Sequence, residues 1–160
     1  MTANITTTSA DGRDLILTSL IDASPEKVYR AWTDPELLKQ WFAPLPWTTP
    51  GAELDVRPGG SCVVVMRGPD GTEFPNPGVY LEVVPNQRLV FTNAYTEAWE
   101  PSQKPFMTVI LTFQHENGKT RYTAQVRHWT IADREAHEQM GFHQGWPLCT
   151  EQLAALVVKL

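Results

Sequence analysis

The chain closes on Phe142-His143-Gln144-Gly145-Trp146-Pro147-Leu148-Cys149-Thr150-Glu151-Gln152-Leu153-Ala154-Ala155-Leu156-Val157-Val158-Lys159-Leu160. Within it Phe142, Trp146, Cys149, Leu153, Leu156 and Leu160 step by 4, 3, 4, 3 and 4, the period of one helix face. Carried back to about Asp133, the stretch reads as one C-terminal helix, roughly 40 Å long at 1.5 Å per residue, which is enough to cross a small sheet. Gly141 and Gly145 stand in its first half, and each costs a helix about 1 kcal/mol against Ala. Either the helix kinks there or something approaches its backbone.

The sheet comes from the preceding residues. Thr108–His115 and Thr120–His128 flank Glu116-Asn117-Gly118-Lys119, and Asn-Gly between two β-prone runs is a strong hairpin signal. In the second run Tyr122, Ala124, Val126 and His128 share the apolar face, while Arg121, Thr123, Gln125 and Arg127 share the wet one. Further strands are expected at Asp14–Asp22, Ala52–Arg57, Ser61–Arg67, Val79–Val84 and Arg88–Tyr95. The breaks between them fall at Pro58-Gly59-Gly60, Gly68-Pro69-Asp70-Gly71 and Pro85-Asn86. Ser24-Pro25-Glu26 and Asp34-Pro35-Glu36 are two helix starts, each with a capping residue, Pro at the first helical position and an acid in the first turn. Strands joined by tight turns make an antiparallel meander, and a final helix covers its apolar face. The expected fold is therefore α+β: a curved antiparallel sheet of about six to seven strands around a long C-terminal helix, with two short helices after the first strand. Residues 1–13, Thr-rich and polar, are expected to be a flexible segment ahead of one domain over 14–160.

Composition narrows the function. The 160 residues carry a formal net charge of −5 and no basic run, which argues against a nucleic-acid surface. No apolar run approaches the roughly 18 residues of a membrane span, and no secretory leader is visible. Cys62 and Cys149 are too few and too far apart for a disulfide framework, so free thiols in the cytoplasm are the simplest reading. The four histidines, His115, His128, His137 and His143, lack metal-site spacing, and no metal or cofactor is expected. Gly-x-Ser-x-Gly elbows and phosphate-binding glycine loops are missing as well.

A set of segments resembles one family. They are Ala23-Ser24-Pro25-Glu26-Lys27-Val28-Tyr29-Arg30-Ala31-Trp32-Thr33-Asp34-Pro35, Gln40-Trp41-Phe42, Arg57-Pro58-Gly59-Gly60, Met66-Arg67-Gly68-Pro69-Asp70-Gly71, Gly78-Val79-Tyr80-Leu81-Glu82-Val83-Val84-Pro85 with Arg88-Leu89-Val90-Phe91-Thr92, and Met140-Gly141-Phe142 with Gly145-Trp146 and Leu153. In order and spacing they are similar to the START-like, or SRPBCC, superfamily, in its branch named for the activator of a heat-shock chaperone ATPase. The resemblance implies a helix-grip fold with a pocket between sheet and last helix. It also implies a small hydrophobic or amphipathic ligand, and in some members cyclase or dehydratase chemistry. The chaperone activator has a further N-terminal domain for which this chain has no room, so a chaperone partner is not expected. Cys62 and Thr150 stand where relatives tend to carry an aromatic and an apolar residue.

Six tryptophans in one small domain read either as a Trp-rich core or as walls of a cavity. Trp41, Trp99, Phe106, Phe142 and Trp146 fall on elements that surround a helix-grip pocket mouth. Cys62, Val64 and Met66 on one strand face, Tyr80, Phe91 and Tyr122 on other strands, and Cys149 on the last helix complete the expected lining. Acid–base catalysis has three candidates, Glu82, His128 and Tyr80, with shifted pKa values if they sit in an apolar pocket; Glu82 alternatively pairs with an Arg. Three functions follow: a binder of a small hydrophobic molecule, a cyclase or dehydratase, or an interaction module using a sheet edge or aromatic patch. A homodimer stays open.

Overall fold

The computed structural model describes residues 4–160. Strands β1 (Asn4–Thr8) and β2 (Asp14–Ile21) lead to helices α1 (Pro25–Thr33) and α2 (Pro35–Leu38). A meander follows: β3 (Thr48–Leu54), β4 (Ser61–Arg67), β5 (Glu73–Val84) and β6 (Arg88–Thr92). The short strands β7 (Tyr95–Glu97) and β8 (Glu100–Pro101) pair only with each other, and β9 (Met107–Glu116), β10 (Lys119–His128), α3 (Ile131–Gln139) and α4 (Phe142–Val157) complete the chain. Eight strands form one antiparallel sheet in the order β1-β2-β10-β9-β6-β5-β4-β3. This is the helix-grip arrangement, with more strands than the six or seven expected.

Local signals place several elements well. Asn117 (φ 52°) and Gly118 (φ 80°) both take the left-handed conformation of a two-residue hairpin turn between the paired Glu116 and Lys119. Asp34 caps α2, its carboxylate accepting the Glu36 N–H at 2.9 Å, whereas Ser24 makes no side-chain cap to α1. The two short helices follow the second strand, because residues 4–8 of the segment expected to be flexible are strand β1. Its register runs from Asn4 opposite Ser19 to Thr8 opposite Leu15. β1 is also tied to the last helix: Asn4 Nδ2 donates to the Pro147 carbonyl (3.2 Å), and Thr6 Oγ1 lies 2.9 Å from His143 Nδ1.

β5 is twelve residues long and runs through Pro75 and Pro77. Proline is tolerated there because residues 73–77 pair only with β4; pairing with β6 begins at Val79. Those prolines therefore face an unpaired edge and break no ladder.

The expected single helix is two. Gly141 adopts φ 100°, a left-handed conformation that ends α3 and that glycine reaches without strain. Gly145, by contrast, lies inside α4 and interrupts nothing. α4 is thus 16 residues, about 24 Å rather than 40 Å. Its buried line is also displaced from the expected stripe, because Phe142, Thr150, Leu153, Ala154 and Val157 are buried, while Trp146, Cys149, Leu156 and Leu160 are half-buried. The Thr150 hydroxyl is satisfied by donating to the Trp146 carbonyl at 2.8 Å.

The core joins Leu15, Leu17 and Ile21 of β2, Val109, Leu111 and Phe113 of β9, and Ala124 and Val126 of β10 to Val28 and Trp32 of α1 and Leu153 of α4. Among the described residues no helix is long and apolar enough to cross a membrane.

Candidate functional site

Inward-facing residues normally lose all contact with water in a closed core. Here a row of them does not. Cys62 on β4, Phe91 on β6, Met107 on β9, and Trp146 and Cys149 on α4 belong to the interior yet remain half-buried. They form a seam of partly accessible apolar side chains on the sheet and α4. Its floor is closed: Trp41, Val64, Tyr80, Tyr122 and Phe142 keep 4% or less of their exposure. Trp32 seals it, donating from Nε1 to the Tyr122 hydroxyl at 3.1 Å and lying 4.7 Å from Trp41 and 5.7 Å from Phe91 between ring centres.

The two thiols flank this seam. Burial raises both pKa values, that of Cys149 to about 12. Cys149 donates to the Phe42 carbonyl at 3.1 Å, and Cys62 neighbours the Tyr80 hydroxyl. Neither is therefore a ready thiolate at neutral pH. Burial, with Cys62 beside it, likewise pushes the Tyr80 phenol up, leaving it a neutral donor.

The other expected site residues disperse. Glu82 lies outside the seam, 47% exposed and paired with Arg88 at 2.7 Å. A bulge between Tyr80 and Glu82 sets that orientation, and strand parity counted from sequence cannot anticipate a bulge. Trp99, 86% exposed, belongs to the turn of the β7–β8 hairpin, which packs on β5. With Tyr95, Leu81, Val79 and Pro58 it borders a separate hollow of about 400 Å3. Trp41 borders a smaller hollow of about 130 Å3, where Gln152 of α4 donates to the Trp41 and Ala43 carbonyls at 2.8 Å each. Met66 is half-buried at the far end of β4.

At the α3 end of the seam the structure brings together residues the sequence keeps apart. His128 ends the inner row of β10, opposite Met107. His137 of α3 lies over it, with Nδ1 2.9 Å from His128 Nε2. The His137 ring is surrounded by Phe106 (5.1 Å), Phe142 (5.2 Å) and Trp146 (6.3 Å). His137 and Met107 are contributors that the sequence reading passed over. The inward parity of His128 was a signal for a partner, but nothing local identifies His137 as that partner.

Burial, with His128 alongside, lowers the His137 pKa from 6.5 to about 4. Between those values the unfolded chain binds a proton that the folded chain refuses. Stability is then complete above about pH 6.5 and falls as the pH is lowered towards 4. The expected slope in that window reaches about 1.4 kcal/mol per pH unit, read by urea unfolding, and His137→Phe should flatten it. An unchanged slope in the variant would show that His137 is not its source.

Comparison with known proteins agrees with this fold. The family model described as Activator of Hsp90 ATPase homolog 1-like protein matches residues 22–158. Protein NE0264 from Nitrosomonas europaea is 39% identical, with 94% of this chain and 97% of that one covered and a TM-score of 0.91. Protein Ms6760 from Mycobacterium smegmatis (23% identical, 96% of each chain covered, TM-score 0.81) shares the fold. So does an AHSA1-like protein from Aeromonas hydrophila (22% identical, 99% and 93% covered, TM-score 0.65). No curated protein matches at a significant level.

Proposed function

The chain belongs to the family of Activator of Hsp90 ATPase homolog 1-like proteins, and from that membership and the partly accessible seam we propose that it binds a small hydrophobic or amphipathic molecule between the sheet and α4. The observation that supports this reading is the row of inward-facing apolar side chains, Cys62, Phe91, Met107, Trp146 and Cys149, that the fold leaves half-buried. Sites of this kind are mostly apolar with a few placed polar groups. Here those groups are the Tyr80 hydroxyl and the His128–His137 pair.

The outer hollow under Trp99 is the built-in control, since it is roomy and takes its tryptophan from the β7–β8 turn and not from α4. Titration with the apolar dye Nile red should show binding weakened about tenfold by Trp146→Ala and unchanged by Trp99→Ala, a difference of about 1.4 kcal/mol. Urea unfolding of the same samples separates affinity from stability. Dye affinity that survives Trp146→Ala but is lost in Trp99→Ala would move the site to the outer hollow. Loss of stability in Trp146→Ala with unaltered dye affinity per folded molecule would make Trp146 a packing residue only.

A further inference from the structure

The hydrogen bonds of the His128–His137 pair determine where its protons sit. His128 Nδ1 lies 2.8 Å from the Arg13 carbonyl, which can only accept, so Nδ1 carries the hydrogen. In a neutral imidazole the other nitrogen is then an acceptor. His128 Nε2 must therefore receive its 2.9 Å bond from His137 Nδ1–H. The same rule applied once more leaves His137 Nε2 with a lone pair. That nitrogen has no hydrogen-bond partner among the described residues, on a side chain only 8% exposed. It is not one of the fully enclosed polar atoms of the described residues, so a bound molecule can reach it, and its ring stands among those of Phe106, Phe142 and Trp146 at the end of the seam.

We propose that His137 Nε2 accepts a hydrogen bond from the ligand of the seam, that His128 acts as the positioning residue holding it in the acceptor tautomer, and that the ligand is an apolar molecule bearing a neutral hydroxyl. The inference rests on the seam being the binding site. The chemistry excludes as well as selects. An ether offers no hydrogen to the lone pair. A carboxylate brings lone pairs and a charge to a nitrogen that has no proton for it, in a pocket whose low polarity makes an uncompensated charge expensive. The low proton affinity of His137, set by its burial and by the neighbouring imidazole, keeps the ring from turning into a donor at neutral pH.

Three probes of one shape test this: 2-naphthalenemethanol, its methyl ether and 2-naphthoate, each measured by displacement of Nile red and by calorimetry at pH 7.5. The alcohol should bind about tenfold more tightly than the ether, the scale of one well-made buried hydrogen bond, and the carboxylate should bind more weakly than the alcohol. In His137→Phe the alcohol should fall to the affinity of the ether, with the ether unchanged. In the unaltered protein the nitrogen NMR shift of His137 Nε2 should be that of a lone-pair nitrogen and should move with the alcohol but not with the ether. Equal binding of alcohol and ether would overturn the acceptor role and leave the seam standing. Tightest binding of the carboxylate would overturn it too, by showing a charged pair. If none of the three binds, the seam itself is not the site and both readings fall. Should His137→Phe not fold, the comparison of the three probes on the unaltered protein decides alone.

Discussion

Trp32→Ala should destabilise the protein by about 3–5 kcal/mol, as large aromatic truncations in a closed core do. Trp32 is 5% exposed and meets Trp41, Phe42 and Phe91 at centroid distances of 4.7, 6.0 and 5.7 Å. It is also the donor to the Tyr122 hydroxyl. Removing the ring empties the junction of α1, α2 and the sheet and leaves a buried phenol short of one partner. Trp32→Phe isolates the second effect: it keeps an aromatic but orphans Tyr122, at about 1–3 kcal/mol. Urea unfolding of both variants measures the two contributions. A loss under 1 kcal/mol on the order of a surface substitution for Trp32→Ala would mean that the seam is accessible far deeper than described.

Gly60→Ala should cost about 3 kcal/mol, the upper range for overpacking. A Cβ at this position would lie 1.9 Å from the Asp55 carbonyl oxygen and 3.0 Å from that of Arg57. Both are backbone atoms, so no side chain can swing aside. The loop between β3 and β4 would have to open, and with it the bonds from Tyr80 N–H to the Gly60 carbonyl (3.0 Å) and from Gly59 N–H to the Tyr80 carbonyl (2.8 Å). Gly145→Ala is the contrasting substitution. Beyond its chain neighbours and its own helix backbone nothing lies within 4 Å of its added Cβ, and inside a helix Ala is favoured by about 1 kcal/mol, so its melting temperature should rise. A tolerated Gly60→Ala would show that the β3–β4 loop is adaptable and not held by its backbone contacts.

The legible parts of the fold were those written in adjacent residues. Asn117-Gly118 dictates its own turn, and Asp34-Pro35-Glu36 its own helix start, so neither depends on the rest of the chain. The helix break at Gly141 was half legible: two glycines signalled it, but only tertiary packing decides which adopts the left-handed conformation. Only Val79–Val84 of β5 was expected as strand, and Pro75 and Pro77 in its first half argue locally against one. What permits them is the absence of a neighbour on one side, a fact about pairing and not about the segment. The bulge that turns Glu82 outward and the pairing of β1 with β2 are of the same non-local kind. For the site, inward parity identified His128, Cys62 and Tyr122 correctly as interior residues. Their separation into a closed floor and a partly accessible seam depends on where α4 lies, which no spacing encodes.

The position of β2 between β1 and β10 has a consequence for how the chain is made. β2 emerges early in synthesis, carrying Leu15, Leu17 and Ile21, all 0% exposed in the finished protein. Its partner on one side is β10, with Ile21 opposite Thr120 and Leu17 opposite Ala124, so the sheet cannot close until nearly the whole chain has left the ribosome. At about 5–20 residues per second, the first apolar strand then waits several seconds without its partner. Contacts between such distant segments also slow folding after release, because a long loop must close before they form. The nascent chain, with its leading strand unsatisfied, is therefore the state in which this protein is most exposed to aggregation and has most use for a holding chaperone.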